Sequence, residues 1–269
     1  MKYLKMGEKI KELNPLGYKP VGKLLKSLAI PAIIANLVNA LYNVVDQIFI
    51  GQGIGYLGNA ATNIAFPITT MCLAIGLTLG IGGASNFNLE LGKGYPEKSK
   101  HTAGTAASTL IIIGIILCIT VRIFLEPLMI GFGATNKILE YSMEYTGITS
   151  YGIPFLLFSI GVNPLVRADG NAKYSMIAIV IGAILNTILD PLFMFVYNLG
   201  IAGAAWATVI SQIISALLLL IYFPKFKSVK FSLNDFIPQS SKNAVYIFLS
   251  SIVLIVVLAL YEDIRTFEV

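Results

Sequence analysis

Charge is scarce in this sequence. Only 12% of its 269 residues are Asp, Glu, Lys or Arg, against about 25% in a soluble globular domain. Such a deficit excludes an ordinary water-soluble fold. There are only one histidine and two cysteines. That excludes a disulfide framework and a Cys/His metal centre. Cys72 and Cys118 both lie in apolar runs and read as small buried hydrophobes. His101 has no second His, Cys or acid pair nearby in sequence and reads as an interfacial residue. The strict alternation of a membrane β-barrel is missing as well.

Apolar sequence is what the chain has in excess: 56% of residues are hydrophobic and the mean hydropathy is +0.79. Windows of roughly 20 residues, the length that crosses a bilayer, recur at 28–50, 60–84, 102–122, 146–165, 174–197, 201–223 and 244–261. Lipid offers no partners for backbone N–H and C=O groups, so each window is predicted to be a helix. The expected fold is an all-α integral membrane protein, with a six-helix lobe over 28–223 and one additional transmembrane helix at 244–261. Residues 1–27 form a basic N-terminal segment, 224–243 a linker and 262–269 a tail. The fourth window is the most polar, with Thr146, Thr149, Ser150, Ser159, Asn163, Pro154 and Pro164. The basic lead is long and no A-x-A site follows, so the first window reads as a retained anchor and not a cleaved signal.

Basic loop residues set orientation. With the N-terminus in the cytoplasm, sixteen Lys and Arg fall on the inner side, Arg167 and Lys173 among them, and three (Arg122, Lys137, Arg265) on the outer side. The expected location is the cell membrane, multi-pass, with the N-terminus, linker and even-numbered loops cytoplasmic. The net charge of +5 then faces anionic lipid, and no nucleic-acid partner is required.

Twelve of the fourteen acidic residues fall in loops or tails on this reading; Asp46 and Asp190 do not. A carboxylate at mid-bilayer costs about 3 kcal/mol on insertion scales. Counting helical rise, Asp46, Asp190 and Thr208 sit at a common depth, roughly 6 to 11 Å below the outer boundary. Asn186 precedes Asp190 by four residues and shares its face. Asn36, Asn39, Asn43 and Asp46 share an arc of the first helix; Thr208, Ser211, Gln212 and Ser215 share one on the sixth. Such stripes belong in a bundle interior or a wet cavity. Pro191 removes the N–H that would engage the Thr187 carbonyl, leaving an oxygen that can serve a cation such as Na⁺; a proton needs only a carboxylate.

Other signals carry less. GIGYLG at 53–58 satisfies G-x-G-x-x-G but bridges two membrane helices, so tight-turn glycines explain it better than a nucleotide. Gly76 and Gly80 form a G-x-x-x-G expected to pack helices closely. Trp206 reads as an interface anchor. Pro31, Pro67, Pro154 and Pro191 interrupt four spans.

Four segments resemble the multidrug and toxic compound extrusion (MATE) transporters, bacterial multidrug-efflux branch: VVDQIFIG at 44–51, ELGKGYPEKS at 90–99, RADGNAKYSMIAIVIGAILNTILDPLFM at 167–194 and GIAGAAWATVISQ at 200–212. The resemblance implies an antiporter, driven by Na⁺ or H⁺, that exports amphipathic and cationic small molecules and needs no cofactor. It implies a cation site made by Asp46, Asn186, Asp190 and Thr208, with Pro31 as a helix-bending position. Asn36, Asn39, Asn43 and Gln212 are expected to line the cavity, and Pro191 to bend the fifth helix. Family members have two six-helix lobes. This sequence supplies one, and AVYIFLSSIVLIVVLAL at 244–260 lacks the Gly-Ile-Pro-like start of a seventh helix. The expectation is a fragment, a frameshifted product or a half-transporter pairing with a second lobe. The alternatives are a lipid-linked oligosaccharide flippase of the same superfamily, disfavoured because no basic residue falls within a predicted span except Arg122 and Lys173 at span edges, and a non-transporting degenerate protein. Clustered acids of the D-x-x-x-D kind are absent from the spans, so an enzyme is not expected.

Overall fold

The computed structural model describes residues 20–237, in which eight α-helices occupy most of the stretch from Val21 to Tyr222. They are α1 (Val21–Gly53), α2 (Tyr56–Gly92), α3 (Pro96–Ile123), α4 (Leu125–Gly131), α5 (Asn136–Thr149), α6 (Ile153–Ala168), α7 (Ala172–Pro191) and α8 (Gly200–Tyr222). Six spans are long and apolar enough to cross a membrane, with α5 and α6 joining into one over Asn136–Ala168. The protein is a multi-pass membrane protein. Most of segment 1–27 and the expected helix at 244–261 and tail at 262–269 lie outside the described residues.

All six windows of the lobe are found as helices, and the first four spans overrun their windows at both ends. Lys23, Lys26 and Glu90 sit in the overruns of α1 and α2. The fourth span departs most. It starts at Asn136, ten residues before the window, so Glu140 and Glu144 are helical and not in a loop. It changes pitch through a 3₁₀ turn at Ser150–Gly152, just before Pro154. Pro31 and Pro67, by contrast, sit inside unbroken helices. Pro191 ends the α-helical run of α7, and a π-helical stretch, Leu192–Val196, follows at once. The missing N–H at Pro191 accounts for the widened ladder there.

Turn chemistry sets the joints. Gly55 adopts φ +81 between α1 and α2, a conformation open to glycine. Gly170 does the same at φ +83, and Asn171 caps α7 by accepting from the Tyr174 N–H at 3.2 Å. Pro96 opens α3, where its absent N–H costs nothing.

Helix α2 packs on α6 and α3, α1 on α7, and α7 on α8. The main core joins Phe87, Leu110, Leu157, Leu165 and Leu219. Close approach depends on small residues. A Cβ at Gly80 would lie 2.5 Å from the Gly161 backbone, and one at Gly76 would lie 2.8 Å from Ile160. The G-x-x-x-G thus seats α2 on α6.

The described part of the linker, residues 224–237, folds back on the lobe. Asp169, fully buried, accepts from the Tyr222 hydroxyl at 2.8 Å, the Lys227 N–H at 2.9 Å and the Ser228 N–H at 2.9 Å. Farther on, a 3₁₀ turn at Leu233–Phe236 is closed by a capping box in which Asp235 accepts from Ser232. Asp235 lies 3.0 Å from His101 Nδ1 and 3.7 Å from Lys100 Nζ on α3. His101 is therefore no lone interfacial residue: the linker brings it an acid partner from far along the chain. Gly104 makes room for this contact, since a Cβ there would collide with the Asp235 carbonyl.

Candidate functional site

Two of the three helices that carry the intramembrane acids and their partners pack directly on α7. Asp190, in the last turn of α7, is 0% exposed, and Asn186, one turn earlier, is 2% exposed. From the facing helix α1, Asp46 is 7% exposed. The Asp46 and Asp190 side chains lie close enough to share a hydrogen bond. The Asn186 amide nitrogen stands 3.2 Å from Asp190 Oδ1 and 3.4 Å from the Thr208 hydroxyl on α8. Helical rise alone placed the acids and Thr208 at a common depth, and the packing of α1 and α8 against α7 brings them together.

Three oxygens of this cluster have no hydrogen-bond donor among the described residues: Asp46 Oδ1, Asp190 Oδ2 and Asn186 Oδ1. Buried polar atoms are nearly always partnered. An all-oxygen set of this kind suits a hard monovalent cation or a shared proton. No cluster of three His, Cys, Asp or Glu occurs among the described residues.

Two tyrosines complete the cluster and were not singled out in the sequence. Tyr42, one turn before Asp46, lies near both acids, and so does Tyr145 on α5, whose hydroxyl is within reach of Thr208. The spacing of Tyr42 from Asp46 was a usable signal. Tyr145 had none, because it lies outside the predicted fourth window.

A cavity of about 400 Å³ leads to the cluster, reaching it at Tyr42, Asn186 and Thr208. Of the expected lining residues, Asn36, Asn39 and Gln212 do line it. Asn43 does not: its amide donates to the Asn39 carbonyl at 2.8 Å, and it borders a shallow groove with Gln47 and Asn59. Pro31 is buried in α1, one turn from the cavity residue Ala35. The cavity also holds a cation. Arg167, assigned to a loop by the charge pattern, lies in the last turn of α6 and lines the cavity wall. A basic residue therefore does fall within a span, contrary to expectation, and the expected absence no longer counts against a flippase.

Residues 31–192 match the family profile described as MatE. The chain belongs to the MatE family. Among curated MatE-like relatives, the "Multidrug export protein MepA" of Staphylococcus haemolyticus is 27% identical over 207 residues, covering 76% of this chain and 45% of that protein. The "Probable multidrug resistance protein YoeA" of Bacillus subtilis is 28% identical, covering 74% of this chain and 44% of that one. Among solved structures, "MATE in the bent conformation" superposes with a TM-score of 0.80 at 27% identity, covering 91% of this chain and 54% of that one. The chain spans about half the length of the relatives it matches.

Proposed function

We propose that this lobe holds the coupling-ion site and much of the substrate chamber of a cation-coupled antiporter that exports amphipathic or cationic small molecules. The observation that carries the reading is the meeting of Asp46 and Asp190 beside Asn186 and Thr208, with three acceptor oxygens left over. The coupling ion is Na⁺ or H⁺. Two carboxylates at this distance repel one another when both are charged, and a proton or small cation between them relieves that repulsion. Binding therefore draws α1 towards α7. Release of the ion loosens α1, which is free to repack about Pro31, while Pro191 and its π-helical stretch give α7 a compliant end. A cationic substrate in the cavity competes for the same charge, and this differential affinity is enough to couple the two fluxes.

In this reading the N-terminus is cytoplasmic, and the linker continues towards a second lobe that closes the chamber. The apolar side chains of α1 that remain exposed, including Ile33, Leu37 and Leu41, then face lipid or that lobe. The test is drug resistance in cells whose complete transporter carries this lobe. Asp46→Asn and Asp190→Asn should each abolish resistance at normal expression; full resistance in both would reject the coupling site. Ethidium efflux from cells expressing only this chain separates a self-sufficient or self-pairing transporter from a lobe without activity of its own.

A further inference from the structure

Arg167 is a cation inside a membrane span, and its fold position gives it no acid. Its Nε donates to Asn163 Oδ1 at 2.9 Å and to Ser175 Oγ at 3.1 Å, and one terminal nitrogen donates to Asn163 Oδ1 as well. Ser175 Oγ in turn bonds Asn163 Oδ1 at 2.6 Å. Asn163 and Ser175 are 3% and 1% exposed. The guanidinium is thus held in a fixed plane by two buried neutral groups. Asp169, two residues on, is taken up by Tyr222, Lys227 and Ser228. Among the described residues no carboxylate lies within ion-pair distance of Arg167.

Five N–H groups belong to a guanidinium. The bonds described use Nε and one terminal nitrogen, so the other terminal nitrogen has no acceptor among the described residues while the side chain lines the cavity. A fixed planar fork with open donors matches an oxyanion, above all a carboxylate. The same cavity ends at the acid pair. Ser175, which touches Arg167, and Asn186, which touches Asp190, lie on α7 about 17 Å apart at helical rise.

We propose that Arg167 is an anion-binding pole of this chamber, and that the chamber takes elongated amphiphiles bearing a carboxylate or similar oxyanion at the Arg167 end. This rests on reading the cavity as the substrate chamber. It adds a selectivity the acid pair cannot supply: of two ligands with the same cationic ring system, the one with a free carboxylate binds better. The anion can belong to a solute or to the phosphate of a lipid headgroup.

Tetramethylrhodamine and its methyl ester are a suitable probe pair, since they share a cationic ring system and differ at one carboxylate. Binding is read by fluorescence anisotropy on the full 269-residue chain in phosphatidylcholine nanodiscs. The free acid should bind about tenfold more tightly than the ester, the worth of a charge-assisted bond. Arg167→Gln should erase that preference by weakening the free acid with no loss of ester affinity, and Arg167→Lys, which keeps the charge, should retain part of it. Thermal melting of both variants guards against misfolding. Adding phosphatidylglycerol to the discs separates the two sources: loss of acid binding only where Arg167 is present marks the lipid headgroup as the native anion, and no change marks a solute. Either result keeps the anion pole. If acid and ester bind the wild type alike, or Arg167→Gln keeps the preference, the anion pole is overturned while the chamber stands. If neither dye binds, both readings fall.

Discussion

Asn186 bridges two helices through one nitrogen, 3.2 Å from Asp190 on its own helix α7 and 3.4 Å from Thr208 on α8. The contact locks the side-chain amide so that its oxygen, which has no donor, joins the free carboxylate oxygens. Asn186→Leu keeps the volume and removes both the bond and the oxygen. It should weaken ion binding more than Thr208→Val, which removes one hydroxyl worth about 1 kcal/mol, or roughly fivefold in affinity. Equilibrium ion binding to the purified chain measures both, and equal effects would show that the amide oxygen is not a ligand.

The Gly80–Gly161 contact sets the distance between α2 and α6. Gly80→Ala puts a methyl 2.5 Å from the Gly161 backbone, where no side chain can move aside. Overpacking of this kind costs about 1–3 kcal/mol. The melting temperature in detergent should fall, and Gly22→Ala, with nothing within 4 Å of its new methyl, should leave it unchanged.

Asp169 accepts three bonds, two from the linker N–H groups of Lys227 and Ser228 and one from the Tyr222 hydroxyl at the end of α8. Tyr222→Phe removes one of them, worth about 1 kcal/mol; Asp169→Ala removes all three and strands two backbone N–H groups. Trypsin cleavage at Lys225, Lys227 and Lys230 should rise modestly in the first variant and sharply in the second.

Asp235 gives the linker's second anchor a defined pH range. Burial pushes its carboxyl up, but the bonds from Ser232 and the nearby Lys100 and His101 outweigh this and hold it below the usual carboxylate range. A lowered folded value means that its contribution is fully present above the unfolded value of about 3.9 and is lost as pH falls through the folded one. Hydrogen exchange in residues 232–236 should therefore stay slow at pH 5 and rise only below about pH 4. Loosening already at pH 6 would contradict this account of the Asp235 anchor.

Much of the lobe was legible in the sequence because its cause is simple. Bilayer thickness fixes helix length, and the helical rise puts Asp46, Asp190 and Thr208 in one layer. The helix ends were not legible, since Lys23, Glu90 and Glu140 continue helices past the apolar windows. Arg167 was misplaced for a related reason: a charge at a window's edge reads as loop, although the last turn of α6 turns it into the cavity. Tyr42 is legible from its spacing to Asp46, whereas Tyr145 lies outside every predicted window and only packing brings it near the acids. The His101–Asp235 contact joins segments far apart in sequence, which no local pattern reports.

The most direct test of the central claim is ion binding by the chain itself, measured as ²²Na⁺ uptake and as proton release on a pH step, in nanodiscs and without substrate. The account predicts that the wild type binds one of the two ions, and that Asp46→Asn and Asp190→Asn each abolish binding while the fold melts at a similar temperature. Undiminished binding in both variants would contradict it.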